Sequence, residues 1–384
     1  MISFELNETQ KQIQDTARKF AQEEIAPSVI ERDISGTFPA EIVKKMAELG
    51  FMGMMVSPEW GGSGLDTLSY VVAQEEICKV DASVGIIFSV HNSLVNWIIE
   101  TYGSQTQKEK YLRNLAEGKI IGAYCLSEAE AGSDASHQKT KAVFKDGYWV
   151  LNGMKSWIST AQNAGLFILF AQTNEELRHK GITCFLVEKG TEGFEPAKKE
   201  DKMGMRSSDT CAIGITNVKI PDENRIGEVG QGFYIAMSGL NGGRIGIAAQ
   251  ALGIAQGAYE ASVRYSKQRK SFGKFLIEHQ LIQAKLAQMA MNIEAARLLV
   301  YKAAWLKDQG NTNIMAASQA KLFASTVAND VTREAVQIHG GYGYVREYHV
   351  ERMMRDAKVT EIYEGTSEIQ HLVIAREIAK NINF

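Results

Sequence analysis

The chain has 384 residues, 45% of them apolar and 23% charged, with 34 glycines but only 5 prolines. These fractions are ordinary for globular proteins, so disorder, collagen-like repeats and coiled-coil rods are excluded, and the length suits two or three domains. The formal net charge of -3 gives no field that would attract a nucleic-acid backbone, so we expect no nucleic-acid partner.

The first 120 residues predict helices. Apolar side chains recur at helical spacing in Thr9–Ile25, Glu41–Leu49 and Leu68–Ile77. Pro58 and the glycine cluster Gly61–Gly64 indicate loops between them.

A β-rich segment begins near residue 140. Lys141–Lys145 and Tyr148–Leu151 flank Asp146-Gly147, a pair typical of a two-residue hairpin turn. Further strands are predicted at Phe167–Phe170, at Ile182–Val187 and through the alternating apolar residues Cys211, Ile213, Ile215, Val218 and Ile220.

Helical spacing returns after Gly232, and residues 222–384 contain no proline to interrupt long helices. One apolar face consists of Ile282, Leu286, Met289, Ile293, Ala296 and Val300. A second helix runs from Ala316 to Ala335 and stops at Gly340-Gly341. We therefore predict an α+β fold, mostly α, with a helical domain at 1–122, a β domain at 123–231 and a helical bundle at 232–384.

Cysteine usage and the N-terminus bear on metals and location. Four widely spaced cysteines form no C-x-x-C pair or zinc-like cluster, so we expect neither disulfides nor a metal site. Met1–Gln14 lacks a signal pattern, and the longest apolar run, Leu166–Ala171, is too short to span a membrane. We expect a cytoplasmic protein without a membrane partner.

Common catalytic motifs do not account for the chain. It has no G-x-G-x-x-G after a strand, no P-loop and no G-x-S-x-G, which disfavours a Rossmann NAD enzyme and a serine hydrolase. Tyr124–Asp134 instead offers Gly and Ser for close backbone approach to a ligand, or forms a solvated loop with Asp134 as a cap. Trp157-Ile158-Ser159 suits stacking on a flat heterocycle while hydrogen-bonding its edge, or places Trp157 in the core.

Two later stretches carry charged groups. In Ile362–Ser367, desolvation of Glu364 would make it a base able to remove a carbon-bound proton; alternatively, Thr366 caps a helix there. Arg269–Lys274 puts three cations and a hydroxyl on one turn, which suits either a diphosphate clamp or a solvated basic turn.

In this order and spacing, the four stretches resemble the acyl-CoA dehydrogenase family over essentially the whole chain. The chain is most similar to the short-chain and short/branched-chain (2-methyl) members, through Cys125–Ala129, Trp157–Ser159, Ala164–Phe167, Leu240-Asn241 and Gly243–Gln250. The resemblance implies an N-terminal helical domain, a middle β-barrel-like domain and a C-terminal four-helix bundle that builds a homotetramer.

The resemblance also implies FAD, bound between the β domain and the bundle. The implied cofactor residues on the β domain are Tyr124, Cys125, Leu126, Ser127, Gly132, Ser133, Trp157, Ile158 and Ser159. A neighbouring subunit would add Arg269, Ser271, Phe272, Gln280, Gln337, Ile338, His339, Gly340 and Gly341. Thr366, Ser367 and Glu368 would lie near the adenosine half.

The implied substrate is an acyl-CoA thioester. Its implied contacts are Ser133, His179, Phe233, Asn241, Gly242, Gly243, Arg244, Tyr363 and Gly365. Glu364 is the implied catalytic base: it would take the α-proton while the β-hydrogen leaves as hydride to flavin N5, giving a trans-2-enoyl-CoA. Electrons would pass to electron-transfer flavoprotein. Gly243 stands where isovaleryl-CoA and long-chain dehydrogenases carry their glutamate, which argues against an isovaleryl enzyme.

Two alternatives remain at this stage. An acyl-CoA oxidase of the same superfamily would give its electrons to oxygen, and a non-catalytic flavin- or CoA-binding relative would have lost the base. Acyl-chain length and branching are expected to depend on the side chains around Val90, His91, Leu94 and Trp97 and on the helix after Arg244. The pathway, fatty-acid or branched-chain amino-acid breakdown, is open.

Overall fold

A computed structural model of the chain describes residues 5–311 and 314–381, and its N-terminal part is helical as predicted. Asn7 caps the first helix by accepting from the backbone N–H of Gln10 at 2.9 Å. Asp66 caps the fourth in the same way. The helices are α1 (Glu8–Phe20), α2 (Val29–Ser35), α3 (Ala40–Glu48), α4 (Thr67–Cys78), α5 (Ala82–Ser89), α6 (Trp97–Tyr102), α7 (Gln105–Gln107) and α8 (Arg113–Ala116).

A π-helical segment, Val90–Asn96, joins α5 to α6 into one continuous stretch. Within the described ranges, this stretch, Ala82–Tyr102, is the one helix long and apolar enough to cross a membrane, and 94% of its most apolar window is buried inside the protein. Its glycine and polar residues interrupt the apolar run, which is why a search for uninterrupted runs misses it. Its burial makes it a core helix that forms one wall of the site described below.

The middle of the chain forms a mixed sheet. Its strands are β1 (Gly122–Cys125), β2 (Lys141–Lys145), β3 (Tyr148–Ser159), β4 (Leu166–Gln172), β5 (Ile182–Glu188), β6 (Phe194–Pro196), β7 (Thr210–Pro221) and β8 (Arg225–Ile226). They are ordered β6-β7-β3-β2-β4-β5-β8, and β1 pairs in parallel with β4. The predicted hairpin between β2 and β3 is confirmed, with Asp146 and Gly147 at φ 52° and 84° in a tight turn.

Strand β4 is buried on both faces, which explains why its sequence is apolar without alternation. Leu166, Ile168 and Phe170 join the core shared with the helices. Phe167 and Leu169 point the other way, into a separate core within the sheet. The sheet is thereby fixed against the helical part of the molecule.

The C-terminal part is helical again. Its elements are α9 (Gly232–Gln268), a small hairpin of β9 (Lys270–Ser271) and β10 (Lys274–Phe275), α10 (Gln280–Asp308), α11 (Ile314–His339), α12 (His349–Lys358) and α13 (Ser367–Asn381). The predicted apolar face of α10 is buried from Leu286 to Val300. Helix α11 ends where the glycine pair predicted, with Gly340 at φ 61°.

Helix α9 runs through the centre of the molecule and packs closely on α4. A side chain at Gly253 would meet the carbonyl oxygen of Glu75 at 2.5 Å, so the glycine permits this approach. The order of helices, sheet and helices confirms the predicted fold class, and the exact domain limits stay predictions.

Candidate active site

A cavity of about 250 Å³ lies where the sheet, α9 and the turn before α13 meet. Three of the four predicted stretches, although far apart in sequence, contribute residues to its lining. The fourth stretch, Arg269–Lys274, contributes none. The predicted residues that line the cavity are Tyr124, Leu126, Ser127, Gly132, Ser133, Trp157, Ile158, Ser159, Phe233, Arg244, Tyr363, Glu364 and Gly365.

Glu364 is held at the cavity by an unusual turn. Glu364 and Gly365 both adopt left-handed backbone conformations, with φ 52° and 92°. For a non-glycine residue this conformation costs about 1–3 kcal/mol and persists where surrounding contacts impose it. Here the Nε2 atom of Gln370 donates to the Gly365 carbonyl at 2.9 Å and to the Glu364 carbonyl at 3.3 Å.

The carboxylate of Glu364 is desolvated. Both of its oxygens are inaccessible to solvent, and neither has a hydrogen-bond partner among residues 5–311 and 314–381. Burial raises the pKa of Glu364 to about 8, against the opposing effect of the Arg244 and Lys321 cations. A carboxylate in this state is a strong base at a cavity wall.

Helix α9 provides space and charge opposite the Glu364 carboxylate. A Cβ atom at Gly243 would overlap the Glu364 carboxylate, so the glycine is what lets the two elements approach. The next residue, Arg244, is buried, and its Nη1 donates to Asn241 Oδ1 at 2.8 Å. Burial lowers the pKa of Arg244, and its Nε has no partner within the described chain.

Trp157 and two serines form the opposite wall. The Trp157 side chain is 65% exposed and its backbone has φ 63°, so it is displayed at the surface and the core interpretation is wrong. The hydroxyls of Ser127 and Ser159 have no hydrogen-bond partner within the part of the chain that is described. Cys125 is fully buried and lies outside the cavity lining.

The loop between β1 and β2 is fixed by a buried lysine. Lys155 is fully buried, and its Nζ donates to Leu126 O at 3.1 Å, Glu128 Oε1 at 2.8 Å and Gln138 Oε1 at 3.2 Å. The Glu128 carboxylate also accepts from the Lys139 N–H at 2.6 Å. The loop is therefore anchored on a satisfied ion pair, which the solvated-loop alternative did not foresee.

Asp134 does not cap a helix, so that part of the loop prediction is wrong. It lines the cavity, and its carboxylate accepts from the Ser136 hydroxyl at 2.6 Å. Thr366 does act as a cap: its Oγ1 accepts from the Ile369 N–H at 3.3 Å at the start of α13. Ser367 and Glu368 follow it in the first turn and lie outside the cavity lining.

A second cluster of predicted residues lies around the β9–β10 hairpin, outside the cavity. Phe272 at its tip is 97% exposed with φ 50°. The Arg269 guanidinium lies 5.6 Å from the ring of Tyr342, and the His339 ring stacks on Tyr265 at 4.2 Å. The other residues predicted to reach the FAD of a neighbouring subunit also lie outside the cavity lining, on the hairpin, at the start of α10 and around the end of α11. They are Ser271, Gln280, Gln337, Ile338, Gly340 and Gly341.

Four predicted substrate residues lie beside the cavity and not in its lining, among them Gly243, which lies against the Glu364 carboxylate. Asn241 and Gly242 line a neighbouring cavity with Trp97. His179 packs its ring on Phe233, with centroids 5.5 Å apart.

For the acyl wall, Val90 and Leu94 line the cavity as expected, whereas the expectation for His91 is wrong. The His91 ring is buried, with Nε2 2.9 Å from the Leu115 carbonyl and Nδ1 accepting from the Gly122 N–H at 3.2 Å. Burial lowers its pKa to about 4.

Sequence reasoning missed several apolar lining residues. They are Ile86, Met237, Leu240 and Ile369. Helical spacing offered a signal for Ile86, which is four residues before Val90. The buried Lys155 and Lys321 gave no sequence signal, since their contacts come from distant segments.

Comparison with known proteins places this chain in one class. Family models described as the N-terminal, middle and C-terminal domains of acyl-CoA dehydrogenase match residues 7–119, 123–218 and 230–379. The chain therefore belongs to the acyl-CoA dehydrogenase family of FAD flavoproteins and is an acyl-CoA dehydrogenase.

Individual relatives cover the full length. The short-chain specific acyl-CoA dehydrogenase of Clostridium acetobutylicum is 48% identical over 377 residues, which is 98% of this chain and 100% of the relative. The structure of butyryl-CoA dehydrogenase from Megasphaera elsdenii is 47% identical with a TM-score of 0.97, covering 98% of this chain and 100% of that one. A structure described as the electron transferring flavoprotein of Acidaminococcus fermentans is 46% identical with a TM-score of 0.98, covering 99% and 100%.

The residues present fit FAD. An exposed indole beside two serine hydroxyls that have no partner within the described residues suits a planar, polar-edged ring system, and Glu364 lines the same cavity. Ser127, Trp157 and Ser159 are accordingly the residues on this chain suited to hold the flavin ring.

Proposed function

We propose that the protein converts a short-chain acyl-CoA to the trans-2-enoyl-CoA, with Glu364 as the base that takes the α-proton. The observation that carries this proposal is the Glu364 carboxylate, which is buried, unpaired within the described chain and located at the cavity wall. The names of the relatives, short-chain specific acyl-CoA dehydrogenase and butyryl-CoA dehydrogenase, support a short acyl chain. The retained base argues against a non-catalytic relative.

The proton step follows from the environment of Glu364. Because burial raises its pKa to about 8, its ionised form is a stronger base than an exposed glutamate. Its backbone N–H would donate to the thioester oxygen, where negative charge develops as the α-proton leaves. FAD, when bound, supplies the acceptor for the substrate's β-hydride.

We assign the two ends of the substrate to two parts of the cavity wall. Ile86, Val90, Leu94 and Leu240 form an apolar wall suited to a short hydrocarbon chain. Ser133 and Phe233 line the same cavity and would contact the pantetheine arm. We include straight and 2-methyl-branched short chains in the proposal.

The cofactor site extends beyond the cavity. The resemblance suggests that Arg269, Ser271 and Phe272 hold the FAD diphosphate of a neighbouring subunit in a homotetramer. The nearly complete exposure of Phe272 supports a hairpin that projects from its own chain. Analytical ultracentrifugation of wild type and Phe272→Ser tests this: the variant should lose both tetramer and FAD, whereas a wild-type monomer that retains FAD would contradict it.

We propose that electron-transfer flavoprotein accepts the electrons. A structure 46% identical to this chain is described by the name of that protein, and this link between the two proteins supports the proposal. We propose a cytoplasmic protein that works without a membrane partner. Measuring reduction of electron-transfer flavoprotein against peroxide formation separates a dehydrogenase from an oxidase.

A substrate panel tests the proposed function. Purified protein should be yellow, and anaerobic addition of butyryl-CoA or 2-methylbutyryl-CoA should bleach the flavin faster than octanoyl- or isovaleryl-CoA. Protein that cannot be loaded with FAD, or that is bleached fastest by octanoyl-CoA, would contradict the proposal.

A further inference from the structure

Helix α11 carries a lysine that the proposed mechanism does not use. Lys321 is fully buried, although lysine is among the residues least often buried completely. Its Nζ donates to the carbonyl oxygen of Gly365 at 2.8 Å. This carbonyl belongs to the residue that directly follows the base Glu364.

The contact anchors a strained turn from a second side. Gln370, on α13, donates to the carbonyls of Glu364 and Gly365 from within the same segment of chain. Lys321, on α11, ties the turn to a different helix. A turn with two left-handed residues in succession needs such contacts to persist.

The ammonium of Lys321 also lies in the electrostatic surroundings of the Glu364 carboxylate, together with the Arg244 guanidinium on α9. The other titratable groups that face Glu364 are the hydroxyls of Tyr70, Tyr124 and Tyr363, whose pKa values are raised by burial, so they are neutral. Burial lowers the pKa of Lys321 to about 8, while Glu364, Glu361 and Glu368 favour its charged form.

We propose that Lys321 is a positioning residue for Glu364: it holds the Glu364–Gly365 turn through the Gly365 carbonyl and supplies a buried positive charge that favours the ionised base. Removing the ammonium would both loosen the turn and leave Arg244 as the one cation beside the carboxylate within the described chain. This inference rests on the proposed role of Glu364.

Two variants separate the hydrogen bond from the charge. Lys321→Met removes both, and Lys321→Gln keeps an N–H donor without the charge. Lys202→Met is the matched control, because Lys202 also donates to a backbone carbonyl, that of Ser208 at 2.7 Å, and its pKa is also lowered by burial, but Glu364 is not among its charged neighbours.

The readouts are the pH profile of flavin reduction by butyryl-CoA in FAD-loaded enzyme and the ionisation of the Glu364 carboxyl. Infrared difference spectra of [13C]glutamate-labelled protein, with Glu364→Gln as reference, measure that ionisation directly. We expect both midpoints to move upward by about one pH unit in Lys321→Met and Lys321→Gln. The maximal rate should fall further in Lys321→Met, and Lys202→Met should match wild type.

Unchanged midpoints in Lys321→Gln would overturn the charge role, and an unchanged maximal rate in Lys321→Met would overturn the anchoring role. If Lys321→Met fails to fold, the midpoint of Lys321→Gln decides the charge role. Amide exchange of residues 362–366 in Lys321→Gln then tests the anchoring role: exchange at the wild-type rate would support a retained anchor. Faster exchange together with a wild-type rate of flavin reduction would contradict anchoring. A Glu364→Gln protein with full activity would refute the proposed function instead, so the two failures are distinct.

Discussion

At the scale of single residues, the site depends on a carboxylate kept away from water by the fold. Glu364 has a raised pKa because burial outweighs the attraction of two nearby cations. Its position depends on Gly243, where any side chain would occupy the space of the carboxylate. The sequence predicted both residues, through a resemblance, but not the reason that links them, since they lie 121 positions apart and meet only in the folded chain.

Gly243→Ala should disable the base without unfolding the protein. The added methyl group would displace the flexible carboxylate end of Glu364, and a displacement of about 1 Å can cost on the order of 10²-fold in rate. Stopped-flow flavin reduction measures the effect. Gly214→Ala is the control, since a Cβ atom there meets only the Glu195 carbonyl oxygen at an ordinary 3.8 Å; equal rates in the two variants would contradict the assignment.

The stability of Glu364→Gln relative to wild type should increase as pH rises. The folded protein keeps a proton on Glu364 up to about pH 8, whereas the unfolded chain releases it near the ordinary carboxyl pKa. Between these values the free energy of unfolding of wild type falls with increasing pH, and the variant lacks this loss. Thermal unfolding of both FAD-loaded proteins across this range should show a growing difference in Tm. A constant difference would show that Glu364 does not titrate with a raised pKa.

At the scale of elements, local sequence patterns predicted the turns and the buried helix faces that local interactions determine. The β2–β3 hairpin follows from Asp146-Gly147, and the buried face of α10 follows from its apolar spacing. Tertiary contacts determine the features that local patterns did not predict. His91 fits a helical apolar pattern, but its ring pairs with backbone groups of other segments. The loop after β1 depends on Lys155, whose partners lie 17 to 29 positions away.

Lys155→Met should release the loop after β1. It leaves Glu128 buried without its cation, and breaking a buried pair in this way costs about 3–5 kcal/mol. We expect a lower Tm and faster amide exchange at residues 126–140, with partial recovery in the double variant Lys155→Met/Glu128→Gln. Lys141→Met is the control, because its ion pair with Glu175 is exposed and such pairs contribute about 0–1 kcal/mol. A similar loss of stability in both single variants would contradict a specific anchoring role.

At the scale of the whole molecule, the candidate site lies at the junction between the sheet and the helices. The sheet side contributes the exposed Trp157 with Ser127 and Ser159. Helix α9 contributes Arg244, α11 contributes Lys321, and the turn before α13 carries Glu364. The proline-free C-terminal part is what permits helices of 37, 29 and 26 residues to frame this junction. The fold class and the cavity residues on the sheet were predictable from sequence. The charge environment of Glu364 was not predictable, because it depends on which distant side chains the packing buries together.

Anaerobic flavin reduction by butyryl-CoA, followed in wild type and Glu364→Gln as a function of pH, tests the central claim most directly. Wild type should be reduced faster as pH rises through about 8, where the carboxyl of Glu364 ionises. Glu364→Gln should bind FAD normally but be reduced about 10²–10⁴-fold more slowly at every pH. The control, Glu24→Gln, removes a surface carboxylate that pairs with Lys45 in the N-terminal part of the chain, and it should retain the wild-type profile. A Glu364→Gln protein that is reduced at the wild-type rate would show that the base lies elsewhere.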